Sequence, residues 1–223
     1  MSVRVTYEHE LEALKQDLKE MAHMVESAIE QTFTAFEDQD YMMAEDVIKG
    51  DRTVNDMERA IESRCLSLIL RQQPVASDLR QVSTALKVVT DLERIGDHAS
   101  DIAELILRIK SEHAYHIVKH LPVMAASANA MVHDAIEAFI NQDLDSAMEI
   151  IERDDEVQGV SFPASGAQDD CQKLCIGQAV RTQTQTFFIG AVLVGQILNS
   201  YSFHLSPNYA PLQAQSQENY IYR

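Results

Sequence analysis

Glu93, Asp97 and Asp101 follow one another at four-residue steps in the segment DLERIGDHASDIAE, which runs from Asp91 to Glu104. On a helix that spacing stacks the three carboxylates along one face, with about 40° of drift per step. Left bare, like charges at this spacing destabilise a helix by roughly 0.2–0.5 kcal/mol per pair. A bound cation reverses the sign, and hard oxygen ligands suit magnesium, manganese, calcium or iron rather than a thiolate-seeking metal. A second polar line, Asp51, Asn55, Glu58 and Glu62, runs beside the apolar line Val54, Ile61 and Cys65 and offers further oxygens. Such a surplus of carboxylates from two packed helices is what a multinuclear site of divalent or iron ions needs. The competing reading is a helical scaffold whose acidic line is only a solvated face, which is what such a pattern more often means. Gly96 weighs against it. A glycine inside a helix costs about 1 kcal/mol relative to alanine, so close approach of another helix or a ligand is expected there. His98 lies about 100° round the helix from Asp97 and reads as a packing or hydrogen-bonding residue.

The elements that must position these residues are long helices. Leu11, Leu14, Leu18, Met21, Val25, Ala28, Thr32 and Phe36 alternate three- and four-residue steps, which predicts a first helix from about Glu8 to Gln39. A second helix is predicted from Tyr41 to about Arg71, with Ala44, Val47, Val54, Ile61, Cys65 and Leu68 inward. Pro74 breaks the chain. Ser77 or Asp78 is the expected N-cap of a third helix reaching about Lys110. Its apolar stripe is Leu79, Val82, Leu86, Val89, Leu92, Ala99, Ile102 and Leu105. Three such helices joined by short turns bury their stripes as an up-down-up bundle.

Ser111 to Pro122 reads as a connection, after which the pattern begins again. AFEDQDYMMAEDVIKGDRTV, from residue 35, and AFINQDLDSAMEIIERDDEV, from residue 138, align without a gap. Ala35, Phe36, Gln39, Asp40, Ala44, Ile48, Asp51 and Val54 meet identical residues at an offset of 103. Met21 and Ala22 likewise match Met124 and Ala125. This is an internal duplication of a three-helix unit. The expected fold is therefore all-α, with tandem three-helix bundles over 1–112 and from 120–157, the second incomplete or divergent. Beyond Val157 the repeat stops. Of 35 acidic residues only Asp169, Asp170 and Glu218 lie past it, while Pro163, Pro207 and Pro211 do. Residues 158–223 read as a divergent tail that is out of frame or otherwise replaced.

Composition narrows the function classes. A net charge of -17 at pH 7 leaves no basic face for nucleic acid, and it opposes adhesion to anionic lipid. The longest apolar run, Phe187 to Leu198, is too short to span a bilayer. No apolar stretch follows the first charges as it does in a signal peptide. Three cysteines do not suggest a secreted disulfide framework. A cytoplasmic protein is expected, without direct membrane insertion. Glu20-x-x-His23 is one copy of a fragment that di-metal bundles carry twice, and Cys171-x-x-x-Cys175 lacks the second pair a zinc site needs. No nucleotide-binding or hydrolase motif is present, and a non-enzymatic role is expected.

Leu92-Glu93-Arg94-Ile95-Gly96-Asp97-His98-Ala99, preceded by Asp78-Leu79-Arg80 and Leu86-Lys87, resembles the signature of the PhoU family. The resemblance covers residues 1 to about 157. It implies two tandem three-helix bundles whose Glu/Asp-x-x-x-Asp motifs hold multinuclear metal clusters. It implies Glu93, Asp97 and Asp101 as metal ligands, with Asp51, Asn55, Glu58 and Glu62 as further ones. Asp154 and Asp155 correspond to the start of the second unit's matching motif. The second Glu-Arg-x-Gly-Asp-His motif, expected near residues 190–205, is absent. The implied role is a negative regulator of phosphate uptake and phosphate-starvation signalling. Its implied partners are a phosphate ABC transporter, a sensor histidine kinase and a second copy of the chain, as a homodimer.

Overall fold

The computed structural model describes residues 3–108 and 121–158, without the side chains of residues 3, 4, 76, 121, 122, 124, 151, 152 and 154–158. All regular structure among them is helical: α1 (Val3–Asp38), α2 (Tyr41–Gln72), α3 (Ala76–Arg108), α4 (Leu121–Asn141) and α5 (Leu144–Gln158). The helices α1, α2 and α3 pack against one another, α4 packs on α1, and α5 packs on α4. No described helix is long and apolar enough to cross a membrane.

The expected stripes form the core, with two corrections. All six inward candidates of α2 are buried. Leu14, Leu18, Met21, Val25 and Phe36 of α1 are buried as well, and Leu11 and Ala28 are partly covered. Leu79, placed in the α3 stripe, is instead 41% exposed. It sits in the first turn of α3. The second correction is the start of α3. It begins at Ala76, so Ser77 and Asp78 lie inside the first turn rather than capping it. The Val75 carbonyl accepts the Leu79 N–H at 2.9 Å, which starts the helix directly after Pro74. Asp78 then favours the positive end of the helix dipole. Pro122, read as the end of the connection, lies in the first turn of α4, where a missing N–H costs little. The rest of that connection and residues 159–223 lie outside the described residues.

A second stripe on α1, not foreseen, consists of Ala22, Ile29 and Phe33, all buried. It shares its face with Lys19 and Glu26, which reach α4. Lys19 Nζ lies 2.6 Å from Glu137 Oε1, and Glu26 Oε1 lies 3.1 Å from His133 Nδ1. As residue numbers rise on α1 they fall on α4, so these two helices run antiparallel. Equivalent helices of the two repeats are thus packed on each other, and α1 is covered on two sides. Thr32, buried between the stripes, donates its hydroxyl to the Ala28 carbonyl at 2.7 Å.

The repeat extends to individual hydrogen bonds. Asp40 Oδ1 accepts from Met42 and Met43 N–H at 3.0 and 3.1 Å. Asp143 Oδ1 accepts from Asp145 and Ser146 N–H, both at 3.1 Å. Before each cap stands a glutamine with positive φ, Gln39 at 55° and Gln142 at 58°. The Asp40 N–H bonds to the Ala35 carbonyl and the Asp143 N–H to that of Ala138, both at 2.9 Å. All of these equivalents are separated by the offset read from sequence. Replacing the cap, Asp40→Ala, should lower unfolding stability by about 1 kcal/mol. A chemical-denaturation midpoint equal to that of the parent would show that the cap contributes nothing.

Candidate metal centre

The two acidic lines face each other because α2 and α3 are antiparallel neighbours in close contact. That contact centres on Gly96, which is buried. A Cβ at Gly96 would lie 3.2 Å from Val54 Cγ1 and 3.8 Å from Val25 Cγ2. The missing side chain lets α3 approach α2 closely, which is the reason the sequence required for a glycine inside this helix. Val54 is β-branched and confined to essentially one rotamer in a helix, so it yields poorly to a new methyl group.

Flanking that contact, Asp51, Asn55, Glu58 and Glu62 of α2 line a furrow with Glu93 and Asp97 of α3, all part-buried. Asp101 stands at the rim with its side chain 66% exposed. Asn55 donates its amide to Asp51 Oδ2 at 3.1 Å. The carboxylates press on one another. Burial, then Asp97, Glu58 and Asp51, push Glu93 up from 4.5 to about 6, against Arg94. Burial and the charges of Asp97 and Asp101 raise Asp51, which the Asn55 amide opposes. Asp97 is raised by burial and then by Asp101, with His98 and Asp51 opposing. Glu58 is raised by burial and then by Glu62, and its hydrogen bond from Thr90 opposes the rise. Asp51, Glu58, Glu93 and Asp97 therefore form one mutually repelling group. Asp101 acts on it from the rim, and Glu62 extends it along α2.

Three atoms test whether this group fits a cation. Asp51 Oδ1, Asn55 Oδ1 and His98 Nδ1 are buried without a hydrogen-bond partner. Buried polar atoms are nearly always partnered, and two of these are oxygens that can only accept. Orphaned acceptors among repelling carboxylates match the chemistry of a hard cation. Among the described residues no three His, Cys, Asp or Glu side chains already converge tightly enough to hold an ion. Coordination would need the carboxylates to swing inward.

Thr90 was missed in the sequence, though it shares the face of Glu93, Asp97 and Asp101 at helical spacing. His98 has its Nδ1 4.0 Å from Asp101 Oδ2, its i+3 neighbour on α3. Glu20 and His23 are both exposed, outside any core. Cys65 is buried and its thiol is pushed up to about 12, chiefly by burial, so it acts as a small apolar residue. The side chains of Asp154 and Asp155, Cys171, Cys175 and the stretch 190–205 lie outside what the structure describes.

The comparisons with known proteins agree with the motif. The PhoU domain matches residues 18–106 and 121–162. A phosphate-specific transport system accessory protein PhoU homolog of Clostridium acetobutylicum is 42% identical over 158 residues, covering 70% of this chain and 72% of that one. The Escherichia coli accessory protein PhoU is 37% identical over 148 residues, covering 66% of this chain and 61% of that one. The crystal structure of PhoU from Pseudomonas aeruginosa superposes with a TM-score of 0.77 at 28% identity, over 88% of this chain and 99% of that one. The Streptococcus pneumoniae PhoU crystal structure, at 24% identity and a TM-score of 0.72, shares the fold.

Two outcomes are expected at this site. A carboxylate held above its ordinary pKa contributes stability below that value and loses it as pH rises through the shifted one. For Glu93 the window runs from 4.5 to about 6. Chelator-treated protein should therefore gain stability from Glu93 as pH falls from 7.5 towards 5, and Glu93→Gln should flatten that part of the thermal-melting profile. Identical profiles for the two proteins would contradict it. Separately, in Gly96→Ala an overpacking cost of about 1–3 kcal/mol outweighs a helix-propensity gain of about 1 kcal/mol, so the variant should be destabilised by up to about 2 kcal/mol. Adding Val54→Ala should recover part of that loss in a double-mutant cycle, whereas strict additivity would place the strain elsewhere.

Proposed function

The chain belongs to the PhoU family, and on that premise we propose that it is a metal-binding adaptor that restrains phosphate uptake and phosphate-starvation signalling. The observation that carries the reading is the furrow between α2 and α3. Its repelling, part-buried carboxylates and orphaned oxygens create a local demand for positive charge. The relatives named above are phosphate-specific transport system accessory proteins. In this reading the adaptor works in the cytoplasm, between a phosphate ABC transporter and a sensor histidine kinase, as a homodimer and without catalysing a reaction. Asp51, Asn55, Glu58, Glu93, Asp97 and Asp101 would hold the ions, with Glu62 at the far end. The bound ions, divalent or iron, would supply the charge that offsets the carboxylates and holds α2 against α3.

One observation favours the alternative, a helical scaffold with a solvated acidic face. The carboxylates do not converge on a single point as they stand. Metal content separates the two readings. After dialysis against metal-free buffer, mass spectrometry should find at least one manganese, iron or zinc atom per chain. Asp97→Ala should lower that occupancy while leaving helical circular dichroism largely intact. A metal-free but fully helical parent would favour the scaffold.

The regulatory role has its own measurement. In a bacterium lacking its own family member, expression of the chain should restore repression of a phosphate-starvation reporter in phosphate-rich medium. Full reporter activity with the protein present and helical would count against the adaptor.

A further inference from the structure

We propose that the outer groove between α2 and α3 docks a basic amphipathic helix of another protein, which lays apolar side chains in one half of the groove and Lys or Arg side chains in the other. The proposal goes beyond the metal-binding reading and does not depend on it. It is carried by the half of the groove that holds no carboxylate.

On α2 the line Asp51, Asn55, Glu58 and Glu62 continues at helical steps to Leu66 and Ile69. On α3 the line Asp101, Asp97, Glu93 and Thr90 continues towards the N-terminus to Leu86, Ser83 and Leu79, with Val75 just before the helix. Two contacts fix how the lines meet: Val54 against Gly96, and the hydrogen bond of Thr90 to Glu58. Carried onward, this antiparallel register brings Glu62 beside Leu86 and Leu70 beside Leu79. Both lines therefore change from acidic to apolar at the same level. Leu66 is 53% exposed, Leu70 77%, Val75 66% and Leu79 41%. Ile69 and Leu86 are partly buried against the core between them. Of the eight exposed large apolar side chains among the described residues, four lie in this half-groove. Single exposed apolar residues are ordinary, whereas a contiguous set beside charges marks an interaction surface. The groove is turned away from α1, which Arg64 reaches from the opposite edge of α2.

Charge selects the occupant. A helix lying in the apolar half and following the groove meets Glu58, Glu62, Glu93 and Asp97, so it must carry positive charge there. A second copy, at -17, brings more negative charge to that end, and an anionic lipid surface is repelled. Residues 159–223 set Lys173, Arg181 and Arg223 against Asp169, Asp170 and Glu218, so they carry no net positive charge. From Asp51 to Leu70 the groove runs about 29 Å, which suits a partner helix of about 20 residues. Its apolar anchors at i, i+3 and i+4 supply affinity, and its basic end fixes orientation.

The probe is a labelled helical peptide of about 20 residues with Leu anchors in one half and Lys in the other, made in both chain directions. Fluorescence anisotropy is read on the chelator-treated full chain. One direction should bind, and its partner with Glu in place of every Lys should bind about tenfold or more weakly. Leu66→Ser with Leu79→Ser, both on the surface, should weaken the Lys peptide about tenfold or more. Glu58→Gln with Glu93→Gln should weaken it and reduce its salt dependence. Equal binding of the Lys and Glu peptides, unchanged binding in the leucine variant, or no binding by the folded chain would overturn the proposal. A parent dimer that dissociates in the leucine variant would make a second copy the occupant instead. Carbodiimide cross-links from Lys173 to Glu58 or Glu62 within one chain would assign the groove to residues 159–223. Either result would also overturn it.

Discussion

The close contact of α3 with α2 at Gly96 is the constraint on which the candidate centre depends. A helix pair held further apart would leave Asp51 and Asp97 as separate solvated charges. With no side chain at Gly96, Val54 packs so close that a methyl group there would lie 3.2 Å from its Cγ1, while Val25 stays at ordinary contact distance. The short aspartates beside this contact then act on each other across the helix boundary. The glycine lowers helix propensity locally by about 1 kcal/mol. Burial of residues such as Val54, Ile61, Leu92 and Ile95, each contributing on the order of 1.5–3 kcal/mol, offsets both that loss and the repulsion along the furrow.

The carboxylates are therefore held together by the apolar core and not by one another. They carry few local counter-charges. Arg94 pairs with Asp91 and Arg59 with Asp56, both outside the furrow, and Arg64 is engaged by Glu10 and Asp17 at the other edge of α2. Arg94 and Arg59 oppose the upward shifts of Glu93 and Glu58, yet both carboxylates stay raised, so the compensation is partial. A cation held there would act as a fastener between two helices.

The duplication supplies a second physical theme. The corners Gln39-Asp40 and Gln142-Asp143 repeat the same left-handed residue, the same cap and the same closing backbone bond. Equivalent helices α1 and α4 then pack antiparallel, with Lys19 and Glu26 meeting Glu137 and His133. This is why α1 carries two apolar stripes where a helix of a lone bundle needs one.

Much of this was legible in the sequence. The period of 3.6 residues per turn ties each residue's face to that of its neighbours on the same helix. The α2 stripe, the acidic lines and the repeat offset could therefore be read directly, as could the family signature around Gly96. Relations between helices were not legible, because they depend on register and on which element covers which face. The second stripe of α1, the exposure of Leu79 and the start of α3 behind Pro74 belong to that class. So do the orphaned atoms of Asp51, Asn55 and His98. The sequence by itself determined which carboxylates share a helix face. Only the tertiary structure decided which of them meet across helices and lose water, since desolvation and repulsion are set by packing distance rather than by spacing along the chain.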